Sequence, residues 1–329
     1  MNPTGRLERR YTLLKRLATL CVVLVLAIAS LSAFIRLTNA GLGCADWPQC
    51  YGAKLRQAQQ GLETKAADSP VVVTVRMMHR VTAVAALILI LAMLLVCFAE
   101  QPLLRREGRT AMALLALALF LAVLGRWSSG VRLPAVAIGN LLAGFALLAL
   151  SWRLRQQVVE RGASVPSEGG SLRVWAGLGL AVLLCQIALG GLVSAAYAGL
   201  SCTGFPDCGA SSPQWWSSLE ALNPWHEPQF LAQTTANPAG AAPHMVHRIG
   251  ALALLLVLLP LGLSAFSSGR RRVAIVLFSL LFSETVLGVL MVTSGLPLWA
   301  ELGHNLGAGL LLVVVVSLAT RPPLPTLTK

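Results

Sequence analysis

Residues 17–37 read LATLCVVLVLAIASLSAFIRL, and this stretch decides the fold. Its one charged residue is Arg36, and a helix of about 20 apolar residues crosses the roughly 30 Å hydrocarbon core of a bilayer. The whole chain has the same character, with 56% hydrophobic and 12% charged residues over 329 positions. Soluble domains carry about twice that charged fraction. The sequence therefore predicts an integral membrane protein.

Windows of spanning length recur along the chain, and they predict an all-α protein with eight transmembrane helices. The first span follows a polar segment and has no small-residue cleavage site after it, which indicates an anchor rather than a removed signal peptide. The predicted spans lie near 17–37, 75–98, 110–130, 132–152, 172–197, 244–266, 273–293 and 297–319.

The formal net charge of +13 is concentrated in alternate loops. The loop over 198–243, by contrast, has Asp207, Glu220 and Glu227 but no Lys or Arg. The positive-inside rule then predicts cytoplasmic termini, so the basic excess indicates topology rather than nucleic-acid binding. The basic groups are Arg6, Arg9, Arg10, Lys15 and Arg16, then Arg105, Arg106 and Arg109, then Arg153, Arg155, Arg161 and Arg173, then Arg270, Arg271 and Arg272, and finally Arg321 and Lys329.

Two similar loops contain four of the seven cysteines. The loop GLGCADWPQCYG holds Cys44 and Cys50, and GLSCTGFPDCGA holds Cys202 and Cys208. This topology puts both loops on the outer face, where an oxidising compartment favours disulfides. Two structural disulfides, or at least one pair that exchanges electrons with a partner, are both compatible with the pattern. A metal site is disfavoured because each loop has only two thiols and no nearby His.

These loops belong to a longer internal repeat. MMHRVTA, which contains His79 and Arg80, matches MVHRIGA, which contains His247 and Arg248. LGRWSSGVRLP at 124–134 likewise matches LGVLMVTSGLP at 287–297. An even number of spans returns the second copy to the same side of the membrane. The chain is thus predicted to form two repeated four-helix bundles, at 17–155 and 172–320, with a tail at 1–16, a linker at 156–171 and a tail at 321–329.

Histidines point to the chemistry of the second bundle. His226 lies in a polar loop and is expected to be solvated, whereas His247 and His304 come from two helices of one bundle at matching depth. Ionisable residues in a membrane are costly unless they are paired or ligating. Two facing imidazoles provide the two axial bonds of a haem iron. A packing role is the alternative for any single histidine.

Neighbouring residues agree with a flat ligand. Small residues follow each histidine by one turn, Gly250 and Ala251 after His247 and Gly307 and Ala308 after His304, although helix packing favours small residues too. Arg248 is suited to a carboxylate such as a haem propionate, or else is an interfacial arginine. In the first bundle His79 is retained, but Asn140 occupies the position of the second histidine and is a poor iron ligand.

Together, RLTNAGLGCADWPQCYG, GLSCTGFPDCGA, the two HR pairs and LGHNLGAGLLL resemble the haem A synthase family over nearly the whole chain. The resemblance implies an inner-membrane oxidoreductase that converts the C8 methyl of haem O to a formyl group for terminal oxidases. It further implies a permanent haem b between His247 and His304, with Arg248 beside it, and haem O as substrate in the first bundle. There His79 is the metal-ligating catalytic residue, and Cys44 and Cys50 are the redox-relevant pair.

Arg80 and Asn140 complete the set of residues expected at the cofactors, with Arg76 and Arg80 suited to propionates. Implied partners are the farnesyltransferase that produces haem O, the oxidase assembly machinery and membrane lipids, and the resemblance is compatible with a homo-oligomer.

Two positions depart from the family pattern, because Arg76 replaces a Glu and Asn140 replaces a His. Two alternatives therefore stay open: a haem b-binding relative that assists oxidase assembly without catalysis, and a thiol-disulfide membrane oxidoreductase.

Overall fold

The computed structural model describes residues 3–61, 69–127, 132–161, 170–202, 204, 208, 218–229 and 237–320. Across these residues the chain forms nine α-helices and no strand. Short 3-10 helices lie at Ser218–Leu222 and Pro238–Gly240. The helices are α1 (Pro3–Asn39), α2 (Ala53–Gln59), α3 (Pro70–Phe98), α4 (Arg105–Trp127), α5 (Pro134–Val159), α6 (Gly170–Ala195), α7 (Ala241–Ser267), α8 (Arg271–Thr293) and α9 (Leu298–Thr320).

Eight of the nine helices are long and apolar enough to cross a membrane, which confirms the predicted all-α class and the eight spans. The short helix α2 lies in the loop after α1. α1 begins at Pro3, so the helix runs through most of the segment predicted as an N-terminal tail. The end of the predicted third span, part of the predicted linker at 156–171, and the tail at 321–329 lie outside the described residues.

Apolar side chains cover both the outside and the inside of the bundle. Val123, Val174, Leu256 and Phe282 are between 68% and 73% exposed, as expected of side chains that face lipid tails. Close van der Waals packing holds such helices together, because lipid is as apolar as the core. Each long helix contributes a fully buried large side chain to this packing: Leu14, Ile90, Leu114, Leu148, Leu183, Leu258, Leu277 and Leu311.

Helix packing follows one pattern in each half of the chain. In the first half α1 and α4 each pack against α3 and α5, and in the second half α6 and α8 each pack against α7 and α9. The halves meet where α5 contacts α6 and α9, and where α1 contacts α9. The sequence repeat and its domain boundaries stay predictions, to which this common pairing lends support.

The two ends of the bundle differ in chemistry. At one end, called here the terminal end, Arg161 forms an ion pair with Glu8, and the Thr320 hydroxyl donates to Gln156 Oε1 at 2.8 Å. These contacts bring the start of α1, the end of α5 and the end of α9 together. The opposite end, called the Cys-loop end, carries both cysteine loops. Basic residues therefore gather around the terminal end, in keeping with the charge pattern.

Disulfides close both cysteine loops. Cys44 is bonded to Cys50 with a Cα–Cα distance of 6.7 Å, and Cys202 to Cys208 with a distance of 4.7 Å. Gly41 starts the first loop with φ +106°, and any Cβ there would collide with the Cys50 carbonyl oxygen. Only glycine adopts this conformation without strain and also leaves room for that carbonyl. The structure thus contains both expected pairs, and their role stays a prediction.

The first cysteine loop packs on the second half of the chain rather than on its own half. Tyr51, which is 3% exposed, accepts a hydrogen bond from the Gly199 amide at 3.3 Å and packs edge-on against Tyr197. Trp47 lies beside the turn that joins α8 to α9, where Leu296 is buried. Burial, with Glu301 nearby, raises the pKa of the Tyr51 phenol far above its ordinary value, so it stays neutral.

Alkylation of the cysteines tests the two disulfides. Under denaturing conditions without reductant, alkylation should modify only the three free thiols, Cys21, Cys97 and Cys185, whereas prior reduction should expose all seven cysteines. The measurement is the intact mass of the alkylated protein. Cys185→Ser should lower the unreduced count by one. A fourth adduct on protein kept under oxidising conditions would contradict the pairing.

Tyr51→Phe tests the contact between the loop and the second half. Removal of the hydroxyl leaves the buried Gly199 amide without its acceptor, and this should destabilise the protein by roughly 1–3 kcal/mol. Thermal unfolding in detergent measures the effect. Tyr11→Phe is the matched control, because no hydrogen bond to the Tyr11 hydroxyl is present among the described residues. Equal stability of the two variants would rule out the contact as a stabilising one.

Candidate functional site

The second half brings the two predicted histidines together. His247 lies on α7 and His304 on α9, each six residues after the first residue of its helix. Their ring centroids are 6.5 Å apart and their planes cross at 85°. A rise of about 1.5 Å per residue puts both rings about 9 Å below the Cys-loop end of the helices. The expected equal depth is therefore present.

This separation suits a shared metal. Two imidazoles that each ligate one first-row metal through a bond of about 2.0–2.1 Å have ring centres roughly 6.3 Å apart. In the described residues, no group of three or more His, Cys, Asp and Glu side chains is arranged to hold a metal ion. Two axial ligands suffice for a haem, because the macrocycle provides the other four. The pair fits a haem iron better than a bare ion.

Glu284 holds one of the two imidazoles. This residue lies on α8, and its Oε2 is 3.0 Å from Nδ1 of His304. The Glu284 side chain is only 12% exposed. The two atoms are close but are not oriented as a hydrogen bond in the structure. A carboxylate at this position favours a proton on Nδ1, which would leave Nε2 as the lone-pair nitrogen that a metal needs.

Gln186 holds the other imidazole. Its amide nitrogen, on α6, lies 3.1 Å from Nδ1 of His247 and donates to the His247 carbonyl at 3.0 Å. In this orientation the amide donates to Nδ1, so Nε2 carries the proton. The buried Gln186 Oε1 has no partner within the described residues. Ligation through Nε2 requires the amide to turn over and present Oε1 to Nδ1–H.

Glycines make room for these two contacts. A Cβ on Gly307 would occupy the place of Glu284 Oε1, and a Cβ on Gly250 that of Gln186 Oε1. Both glycines were predicted to form a notch for a flat ligand. In the structure they admit the side chains that reach the imidazoles. Gly190 on α6 lies against the ring edge of His247, since a Cβ there would be 3.1 Å from its Cε1.

The four side chains form one cluster, with one member from each helix of the second half. Gln186 and Glu284 each lie nine residues before the last residue of their helices. The two histidines each lie six residues after the first residue of theirs. We refer to Gln186, His247, Glu284 and His304 as the four-helix cluster. All four helices therefore present a polar group to this cluster.

The other residues assigned to the second half have contacts of their own. Arg248 donates to the backbone oxygens of Gly204 at 2.9 Å and Cys202 at 3.1 Å, so it ties the second cysteine loop to α7. His244 is buried, and its Nδ1 is 2.9 Å from the Ala198 carbonyl. His226 is exposed and lies 3.5 Å from Glu220, as expected of a solvated loop residue.

The first half presents different residues at the corresponding depth. His79 on α3 is half-buried, and it makes no hydrogen bond or ion pair in the described part of the chain. Asn140 lies six residues into α5, at the depth that His304 has in α9. Arg76 donates to Asn39 Oδ1 at 3.1 Å, while Arg80 is exposed. Residues 111–125 of α4 are all apolar, so this helix has no equivalent of Glu284.

Sequence reasoning did not identify Gln186 and Glu284. Glu284 had a usable signal, because an acidic residue within an apolar span is costly and is usually functional. Gln186 carries no charge, and a single amide in an apolar helix is a weaker sign. Only the packing of α6 on α7 and of α8 on α9 reveals which imidazole each residue reaches.

Comparison with known proteins identifies the family of the chain. Residues 15–316 match the family described as cytochrome oxidase assembly protein. The chain belongs to this family. Both halves of the membrane domain fall within the match, so family membership covers the four-helix cluster and the first cysteine loop alike.

Named relatives cover most of the chain. The Heme A synthase of Shewanella oneidensis is 31% identical over 322 residues, which span 92% of this chain and 94% of the relative. The Heme A synthase of Allorhizobium ampelinum is 26% identical, over 91% of this chain and 87% of the relative. That of Methylobacterium radiotolerans is also 26% identical, over 97% of this chain and 92% of the relative. Similarity thus extends over nearly the full length of each protein.

Proposed function

We propose that this protein is a haem A synthase, which oxidises the C8 methyl of haem O to a formyl group for terminal oxidases. The observation that carries the proposal is the four-helix cluster within a chain whose full-length relatives bear that name. With water as the oxygen source, each of the two oxidations, methyl to hydroxymethyl and hydroxymethyl to formyl, releases two electrons and two protons. An electron acceptor outside the chain must take up these electrons, and a redox group within the protein would carry them to it.

His247 and His304 would hold that group, a b-type haem, through their Nε2 atoms. The 6.5 Å between the ring centroids is compatible with one iron held by both imidazoles. Bound there, the haem would supply one-electron transfer. Glu284, whose Oε2 lies 3.0 Å from Nδ1 of His304, would keep the proton of that imidazole on Nδ1. Arg248 contributes through the second cysteine loop rather than through a described contact with the rings.

The first half would receive haem O, with His79 as its axial ligand. His79 has no competing contact in the described residues, and Asn140 lies at the matching depth of α5. Arg80 is exposed toward the Cys-loop end, where a propionate would meet water. The substrate would therefore be held by one strong axial bond and by surface charge.

Orientation follows from charge. The basic terminal end would face the cytoplasm and the two cysteine loops the outer side of the plasma membrane. Cys44–Cys50 would then be the redox-relevant disulfide. Its loop rests on the turn between α8 and α9, beside the mouth of the haem b half. This location supports a link between the redox state of the Cys44–Cys50 pair and the haem b site proposed in the second half.

A haem-binding relative that assists oxidase assembly without catalysis is the second candidate. Arg76 favours it, because this residue binds Asn39 in a position where a carboxylate would accept protons.

The two candidate functions differ in one product, haem A. In cells that make haem O, expression of this protein should cause haem A to appear in membrane extracts by haem chromatography. Haem b in the purified protein without haem A would favour the assembly role.

Axial-ligand variants test the haem b site. The unmodified protein should contain about one low-spin b-type haem per chain. His247→Ala and His304→Ala should each abolish this haem, because each deletes one of its two axial bonds. The pyridine haemochrome spectrum of the purified protein measures the content. His226→Ala, in an exposed loop, is the control and should retain the haem. Full haem content in both axial variants would refute the site.

Asn140→His tests the substrate half. A second imidazole should raise haem O affinity by at least about ten-fold, or about 1.4 kcal/mol, and shift the bound iron toward low spin. Absorbance during a haem O titration measures both the affinity and the spin state, and Asn140→Gln, which keeps an amide, is the control.

Arg76→Glu should raise turnover if proton acceptance limits the rate. Haem A formation at equal rates in the unmodified protein and the double variant would show that neither departure matters.

A further inference from the structure

We infer that Glu284 is a positioning residue for the proposed haem b, and that it acts through His304. The inference rests on the proposed function and adds a residue that sets the properties of the iron. Glu284 does not reach the iron position itself. It fixes the tautomer and the rotation of the imidazole that does.

The geometry of the contact supports this role. Glu284 Oε2 lies 3.0 Å from Nδ1, the nitrogen that faces away from a metal bound at Nε2. An imidazole that donates Nδ1–H to a carboxylate is a stronger electron donor through Nε2. Such donation stabilises the ferric iron over the ferrous iron. The carboxylate therefore lowers the reduction potential of the haem and slows its loss.

Gly307 provides independent support, because it adapts α9 to this carboxylate. Glu284 Oε1 occupies the space that a Cβ at position 307 would need. Gly303, one turn earlier on α9, is different, since a Cβ there would only touch the Leu287 side chain at 3.5 Å. A methyl group at 307 should push the carboxylate off His304, whereas a methyl group at 303 should not.

The two imidazoles are held unequally, and this makes Glu284 the more important contact. Glu284 Oε2 already lies beside Nδ1 of His304, where it favours the ligand tautomer, while His247 needs the Gln186 amide to turn over. A neutral amide also polarises an imidazole less than a carboxylate does. His304 is thus the preorganised ligand of the pair. The first half has only apolar residues over 111–125 of the corresponding helix α4, so this control of an axial ligand belongs to the second half.

The experiment compares full-length variants purified with their haem. Glu284→Gln should keep the haem, because an amide oxygen still accepts Nδ1–H, but its midpoint potential should be more positive. Glu284→Leu lacks an acceptor and should lose haem to excess apomyoglobin roughly 10-fold faster or more. Gly307→Ala should shift the potential in the same direction as Glu284→Gln. Gly303→Ala is the matched control and should behave as the unmodified protein.

The outcomes separate this inference from the proposed function. Normal haem content with unchanged potential and unchanged haem loss in the Glu284 and Gly307 variants would overturn the inference and leave the haem site intact. Absence of a haem that depends on His247 and His304 in the unmodified protein would overturn both. If Glu284→Leu fails to fold, the potentials of Glu284→Gln and Gly307→Ala decide the matter.

Discussion

Polar groups inside a membrane must satisfy one another, and the contact between Glu284 and His304 is where this constraint has most effect. Ionisable groups within a membrane span are costly, so a carboxylate and an imidazole on neighbouring helices are favoured as partners or ligands. Gln186 and His247 meet the same constraint on α6 and α7. Each pair needs a glycine on the histidine helix to admit its partner. Two polar pairs at one depth, one between α6 and α7 and one between α8 and α9, therefore constrain the register of the four helices.

Both halves of the molecule meet at the Cys-loop end. The first cysteine loop follows α1 in the chain, yet Tyr51 and Trp47 pack on Tyr197 and on the turn between α8 and α9. Glu301, one turn before His304, also lies within electrostatic range of Arg36 on α1. Contacts made by the loop and by α1 thus reach the start of the helix that carries His304. This arrangement places a disulfide from the proposed substrate half beside the proposed electron-transfer half.

Much of this architecture could be predicted from sequence because membrane spans are read from composition alone. Eight apolar windows predicted eight helices, and equal distances from loop motifs predicted that His247 and His304 lie at one depth. Side-chain partners depend instead on helix rotation, which a nearly uniform apolar surface does not reveal. For that reason Gly250 and Gly307 were interpreted as a ligand notch, and Glu284 was missed. The position of the first cysteine loop could not be predicted either, since only tertiary packing carries it to the second half.

The central claim is that His247 and His304 ligate one iron in the geometry that the four-helix cluster imposes. Electron paramagnetic resonance of the oxidised, purified protein tests it directly, because the signal of a bis-imidazole haem depends on the angle between the two ring planes. An angle near the 85° of the structure predicts a low-spin ferric signal with large anisotropy. A high-spin signal, or the rhombic low-spin signal of parallel rings, would contradict the account.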